Sequence, residues 1–497
     1  MKATALFFSV FVIATCGLVY ELVAGALASY LLGDSVTQFS LIIGAYLSAM
    51  GLGSWLSKFV RRGTLTVFIS VEIGVGLIGG CSATLLFLAF GFTAAFRPLL
   101  YLLVGTIGTL VGLEIPLLLH ILKERFEFKD LIANVLFLDY IGALAASILF
   151  PFLFVPSLGL VQTAYFFGIA NTLVALWASR LFEDELPRVW PLRTAGLAVL
   201  ALLLVGFASA DKLTGEVEKT FFDGTPIHTR TSPYQRIVVT HSRGDLRLYL
   251  SGHLQFSSKD EHRYHEALVH PAMSLVPGAR RALVLGGGDG FAVRELLKYS
   301  SLETIQLVDL DPAMTELFRD EPMLAKLNGG SLADPRVKIT NADALRWLEE
   351  HDELFDVIVV DLPDPSNYSL GKLYSRSFYR LAREHLRETG ALAVQSTSPW
   401  HAPLSYGCIV ATIGAAGFET YPYHCFVPSF GEWGYVLALK RPRPVPGPLA
   451  KVPLRFLDQR VMESLFVFPP DMAVKKAKVN FLDTQALVAY YNREWTR

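Results

Sequence analysis

Three stretches of the chain carry carboxylates at the ends of apolar, strand-like runs. Ala282-Leu283-Val284-Leu285 leads into Gly286-Gly287-Gly288-Asp289. About twenty residues later a second run ends in Val308-Asp309-Leu310-Asp311. A third, Phe355 to Val360, ends in Asp361-Leu362-Pro363-Asp364-Pro365. In an open parallel sheet such ends share one edge, which is where ligands bind. The first strand, glycine turn and helix suit a nucleoside: glycines let the backbone come close, and an acid one strand later takes both ribose hydroxyls. The motifs add two or three further carboxylates and no Lys or Arg. That surplus of negative charge suits a cationic ligand.

The elements that must position these acids follow from periodicity. From Arg281 to about Lys440 strand-length apolar runs alternate with helical patterns, the mark of a doubly wound, Rossmann-like α/β domain. Ahead of it, Gln235–Thr240 and Leu246–Leu250 flank the turn Ser242-Arg243-Gly244-Asp245, predicting a hairpin in a small antiparallel sheet. Asp260 to Leu275 reads as a helix carrying Tyr264-His265-Glu266. The Pro-rich run 441–448 closes the domain. The tail beyond it has a short helical pattern near Asp483–Tyr491 and is expected to pack back on the sheet.

The first ~210 residues are of another kind. The chain of 497 residues is 52% hydrophobic, too apolar for a soluble protein of this size, and the excess lies here. Spanning-length apolar segments recur at roughly 5–32, 38–58, 65–92, 98–122, 131–155, 158–180 and 194–210. The long first segment, with others following, is not a cleavable signal by pattern. The expected units are therefore 1–210, a polytopic α-helical membrane domain of about seven spans; 211–256, the small sheet; 257–440, the Rossmann-like domain; and 441–497, linker and tail.

Basic residues cluster at Lys58, Arg61 and Arg62, at Lys123, Arg125 and Lys129, and at Arg180, Arg188 and Arg193, while the other loops hold only Arg97. The positive-inside rule puts the N-terminus and the basic loops in the cytoplasm, so seven crossings would leave the soluble part outside. Nucleoside ligands are cytoplasmic. The expectation is that one segment does not cross, and Ala195–Ala210, the shortest, is the one that could lie at the interface. Net charge is −1, which argues against nucleic acid. The four cysteines form no CxxC or CxxxxC pair, so neither a zinc site nor a disulfide framework is expected.

Seven motifs in order then carry a resemblance: Ser232-Pro233-Tyr234-Gln235; Leu250-Ser251-Gly252-His253-Leu254-Gln255; Asp260-Glu261 with Tyr264-His265-Glu266; Gly286-Gly287-Gly288-Asp289-Gly290; Asp309-Leu310-Asp311; Asp343-Ala344; and Asp361 with Asp364-Pro365. Together they resemble the spermidine synthase (polyamine aminopropyltransferase) family over roughly 217–440, a fold of the class I methyltransferase type. The N-terminal half, with Gly17-Leu18-Val19-Tyr20-Glu21 and Gly112-Leu113-Glu114-Ile115-Pro116, is similar to the multi-span domain fused to some bacterial members.

The resemblance implies roles position by position. Gln235 and Asp309, with the loop Gly286, Gly287 and Gly288, would hold decarboxylated S-adenosylmethionine as cosubstrate, and no permanently bound cofactor is implied. Asp343 and Ala344 would read the adenine amino edge. Asp289, His265 and Tyr264 would line the amine channel, Asp361 would accept a proton, and Asp364 would help hold the attacking amine. Putrescine or another polyamine would be the acceptor, and family members often dimerise.

The chemistry asks for these residue types independently. The amine attacks a carbon beside a sulfonium, and a neutral thioether leaves without a general acid. An alkylammonium (Lys-like, pKa about 10.4) must first lose a proton, which a carboxylate in reach accepts. Crowded acids also repel the carboxylate of ordinary S-adenosylmethionine, favouring aminopropyl over methyl transfer. At the amine end Ser251 stands where Asp is common, Phe291 where a glycine follows the loop, Ser366-Asn367-Tyr368 in place of Gly-Pro, and Phe430 in place of a Tyr. Glu432 and Trp433 could restore a cation site there.

Taken alone, each element has a plainer reading: the glycine loop and Asp309 fit many nucleoside binders, Asp364-Pro365 a turn, His265 a satisfied helix histidine. Two other functions stay open: a methyltransferase on the same fold, and a polyamine sensor or transporter without catalysis. For the latter, Glu21, Glu72, Glu114 and Asp139 fall inside spans, where acids either pair locally or line a cation or polyamine pathway.

Overall fold

In the computed structural model the chain divides into two compact units, Met1–Asp223 and Gly224–Arg497. All residues are described except 1, 33, 34, 93–95, 124, 125, 496 and 497, so Arg125 of the basic loops lies outside the described residues.

The first unit is a helical bundle: α1 Lys2–Leu32, α2 Ser35–Leu56, α3 Thr64–Phe92, α4 Phe96–Leu122, α5 Phe128–Leu149, α6 Val155–Leu181 and α7 Val189–Phe221. Leu47, Phe137, Phe152 and Val205 stand exposed on it, an apolar surface that suits lipid. Among the described residues six segments are long and apolar enough to cross a bilayer, against the seven expected, because 131–155 and 158–180 form one helical run, Phe128–Leu181. That run doubles back. Gly159 leaves helical geometry at φ 71°, and the Phe154 ring lies 5.3 and 4.9 Å from those of Phe166 and Phe167. In a straight helix twelve residues would separate them by ~18 Å.

Small residues let the helices approach. A Cβ on Gly112 would fall 2.1 Å from the Met50 carbonyl oxygen, and one on Gly168 2.7 Å from that of Gly76. The reading of 195–210 as an interfacial segment needs correction. It belongs to a 33-residue helix that lies along two others: Gly196 meets Leu176 and Ile73, Leu203 meets Gly80, and Gly206 meets Tyr165. Those pairings make α7 parallel to α3 and antiparallel to α6.

The second unit opens with a four-stranded antiparallel sheet, β1 Thr225–Thr231, β2 Arg236–Ser242, β3 Asp245–Leu250 and β4 His253–Ser257. Its central turn puts Arg243 and Gly244 in the left-handed region (φ 48° and 75°), as a two-residue hairpin requires. A seven-stranded sheet follows, in the order β10-β11-β9-β8-β5-β6-β7. Its strands are β5 Arg281–Gly286, β6 Thr304–Asp309, β7 Val337–Asn341, β8 Phe355–Asp361, β9 Leu386–Gln395, β10 Glu419–Val427 and β11 Gly431–Leu439. From β9 through β7 the pairing is parallel, and the β10–β11 hairpin adds antiparallel strands at one edge. Ala282–Leu285 and Val357–Val360 are wholly buried, as central parallel strands must be.

Helices α8 Glu261–Ser274, α9 Phe291–Leu297 and α10 Pro312–Asp320 pack around this sheet. The tail folds back on it: Met462 and Leu465 join one core and Leu487 the other. Glu494 of the C-terminal helix accepts the Leu404 and Ser405 N–H groups at 2.8 and 3.0 Å, satisfying the start of helix Pro403–Ala415.

Candidate active site

The carboxylates converge because β5 pairs with both β6 and β8, which sets Gly286 opposite Asp361. Gly286 is left-handed (φ 81°), and a Cβ there would fall 2.1 Å from the Asp361 carbonyl oxygen. A Cβ on Gly287 would come 3.0 Å from Asp361 Oδ2, and one on Gly288 2.7 Å from Asp309 Oδ2. Glycine is thus what allows two neighbouring strands to present acids over one turn. Asp309 accepts the N–H groups of Gly288 at 3.0 Å and Asp311 at 2.9 Å. Burial pushes its carboxyl up to about 6, against the pull of those two bonds.

A tighter group forms where α8 crosses the end of β8. Tyr264 Oη donates to Asp361 Oδ1 at 2.8 Å, and His265 Nε2 stands 3.9 Å from Asp361 Oδ2. One donor atom each from His265, Asp289 and Asp361 lies within 4.8 Å of the others. Burial raises Asp361, while the His265 charge and the Tyr264 hydroxyl hold it back. Burial takes Asp289 to about 7, with His265 opposing and Asp361 adding. For His265 burial works downward, but the bond to Glu261 and the charges of Asp289, Glu261 and Asp361 bring it to about 8. An imidazole and two carboxylates so spaced suit an ammonium group, and the same donors could hold a metal ion.

Glu261, one helical turn before His265, anchors the imidazole at Nδ1 (3.1 Å) and takes a two-pronged bond from Arg294 (2.9 and 2.8 Å). Burial would raise Glu261, yet these partners bring it to about 2. Sequence reading assigned Glu261 and Arg294 no role. The i,i+4 spacing of Glu261 and His265 was the available signal; nothing local pointed to Arg294.

The remaining candidates take different positions. Asp364 is outside the three-residue group: its carboxylate accepts Thr397 Oγ1 at 2.9 Å and the Tyr491 hydroxyl of the tail, and burial pushes it up to about 6. Gln235 reaches the Asp309 loop through Asp311, donating to Oδ2 at 3.0 Å beside Ser232 Oγ at 2.7 Å. Asp343 caps the helix Ala344–Glu350, accepting the Leu345 and Arg346 N–H groups, and its other oxygen meets Lys372 Nζ at 2.5 Å. Ala344 is buried behind it. Glu432 does not supply a carboxylate at the amine end, because it accepts from His424 Nδ1 at 2.8 Å, across the hairpin. Aromatic rings occupy that end instead: Phe430 lies 5.1 Å from Trp433 and 6.2 Å from Tyr264.

Residues 261–446 match the family model described as "Spermine/spermidine synthase domain". A polyamine aminopropyltransferase of Leptospira interrogans is 51% identical over 494 residues, spanning 99% of each chain. Polyamine aminopropyltransferase 2 of Ralstonia nicotianae is 53% identical over 496 residues, 98% of this chain and 97% of that one. The crystal structure of spermidine synthase from Thermotoga maritima is similar over 49% of this chain and 84% of its own, with 27% identity and a TM-score of 0.46. Both relatives run the length of the chain, helical bundle included. By that likeness the chain belongs to the polyamine aminopropyltransferase family.

Proposed function

We propose that the Gly224–Arg497 unit moves the aminopropyl group of decarboxylated S-adenosylmethionine to an amine such as putrescine, giving spermidine and methylthioadenosine. The observation that carries this reading is the group of Asp361, Asp289 and His265 beside the Asp309 turn. Asp309, Gln235, the glycine turn, Asp343 and Ala344 would hold the nucleoside. Asp289, His265, Tyr264 and Asp364 would orient the amine. The amine nitrogen gives its lone pair to the carbon beside the sulfonium, the C–S bond electrons return to sulfur, and Asp361 takes the displaced proton. A carboxyl raised by burial is a stronger base than an ordinary one, which suits that task. Methyl transfer fits less well, since Asp289 and Asp361 would repel the carboxylate of the intact methyl donor.

Location and assembly extend the reading. The long apolar helices support reading the chain as a multi-pass membrane protein, and the family resemblance supports a homodimer. A cosubstrate of intracellular metabolism favours a catalytic unit on the cytoplasmic face. A second reading, the opposite face, is favoured by α7 packing as a crossing helix together with the basic loops at one end. Labelling an engineered cysteine in the tail with a membrane-impermeant maleimide in intact cells decides between them.

The activity is tested by incubating detergent-purified protein with decarboxylated S-adenosylmethionine and a panel of amines. Mass spectrometry should find methylthioadenosine and an aminopropylated product, both lost in Asp361→Asn. S-adenosylhomocysteine and a methylated amine from the ordinary methyl donor would instead establish methyl transfer.

A further inference from the structure

The four polar side-chain atoms of the helical bundle that are buried without a hydrogen-bond partner, among the described residues, are all oxygens: Tyr20 Oη, Glu72 Oε1, Glu114 Oε1 and Asn171 Oδ1. They come from α1, α3, α4 and α6, and they belong to one neighbourhood. Asn171 Nδ2 donates to Glu72 Oε2 at 2.8 Å and to the Glu72 carbonyl at 3.0 Å. Glu114 lies within electrostatic reach of Glu72, and Tyr20 within reach of both. Residue by residue the burial is nearly complete: Glu72 and Asn171 are 0% exposed, Tyr20 1% and Glu114 3%.

The chemistry of this set is one-sided. Ionised carboxylates and an amide oxygen only accept, and the phenol has a single proton to give. Lys58, Arg97, Lys129, Arg180 and Arg193 lie at the ends of their spans, and no Lys or Arg stands in the interior of one. Acids in such a setting mark sites where charge is bound or carried. Close packing leaves little room for a large ligand: a Cβ on Gly79 would fall 2.6 Å from the Tyr20 ring, and one on Gly76 2.4 Å from Thr172 Oγ1. Oxygen donors in a tight apolar enclosure match a small hard cation.

We infer that the helical bundle contains a binding site for a small monovalent cation, a proton or an alkali ion, formed by Glu72, Glu114, Asn171 and Tyr20. Glu72 lies eight residues from the start of the span Thr64–Ala89, and Glu114 eight from the end of Phe96–Leu122. Both are therefore ~12 Å in from the end of the bundle that carries the basic loops. Other titratable groups in the surroundings are Cys16 on α1, Tyr46 on α2 and Asp139 on α5, with Glu21 further along α1 facing Tyr46. The site is independent of the chemistry assigned to the Gly224–Arg497 unit.

The full chain in lipid nanodiscs tests this. Retention of radioactive sodium is measured against competing lithium, potassium and choline, and proton uptake or release by a pH-indicator dye over a pH series. The alkali-ion arm expects saturable sodium retention that Glu72→Gln, Glu114→Gln or Asn171→Leu weakens about tenfold or more. The proton arm expects no sodium retention, but a protonation step that disappears in Glu72→Gln combined with Glu114→Gln. Tyr20→Phe removes a single oxygen and serves should the glutamine variants fail to fold, as judged by size exclusion and circular dichroism. If folded variants and wild type agree in both measurements, the inference is overturned.

Discussion

In the Gly224–Arg497 unit Asp309 accepts two backbone N–H groups, Asp361 a tyrosine hydroxyl and Asp364 a threonine hydroxyl. In the helical bundle Glu72 has a single amide partner, and Glu114 Oε1 has none among the described residues. The bundle acids are the more deeply buried, yet each of the three aspartates has a donor while the bundle pair leaves Glu72 Oε1 and Glu114 Oε1 without one among the described residues. Fixed donors hold a carboxylate in the geometry a reaction needs, so it can act on a substrate without reorganising. An acid without them keeps its bonding capacity for something that arrives and leaves. The contrast separates a unit arranged for bond making from one arranged for holding charge.

The largest effect expected from breaking this contrast is at Asp361. Asp361→Asn keeps the shape and removes the base, and should lower kcat/KM for aminopropyl transfer by about 10²–10⁴. Nucleoside affinity, measured by equilibrium dialysis, should change little. Next comes the support beneath the site. Glu261 has its folded-state value lowered to about 2 from 4.5, so it contributes stability fully present above about pH 4.5. That contribution is lost as pH falls toward 2. Glu261→Gln should cost about 3 kcal/mol at neutral pH and flatten the acid limb of denaturant-measured stability.

A smaller change sharpens the role of the partners. His265 and Tyr264 both hold the raised Asp361 carboxyl down. His265→Gln and Tyr264→Phe should therefore move the rising limb of the kcat/KM profile to higher pH and lower the neutral-pH rate about tenfold. A limb displaced to lower pH would contradict the assigned geometry. Smallest is Lys372→Met. It frees the second oxygen of Asp343 and should tighten nucleoside binding by up to about fivefold, as befits a partly exposed ion pair.

How far the sequence revealed all this varies with the range of the interaction. The strand ends, the glycine turn and the hairpin at Arg243-Gly244 are local patterns, and periodicity with turn chemistry was enough to read them. Glu261 was within reach too, one turn from His265 on a helix already recognised. Arg294, Lys372, Thr397 and Tyr491 reach their partners across 29 to 127 residues of chain, through packing that no local pattern encodes. Glu432 shows the converse. Its place in the sequence suggested a cation site, but hairpin register gave it His424 as a partner. In the bundle, composition found the apolar segments and, by separating 131–155 from 158–180, the place where the chain reverses near Gly159.

The most direct test is the ratio of wild-type to Asp361→Asn single-turnover rates for aminopropyl transfer, followed over a pH series with saturating decarboxylated S-adenosylmethionine. If Asp361 accepts the amine proton, the ratio is large at neutral pH and shrinks as the amine loses its proton unaided, near the Lys-like value of about 10.4. A ratio that stays constant across the series would contradict proton acceptance and leave Asp361 a positioning role alone.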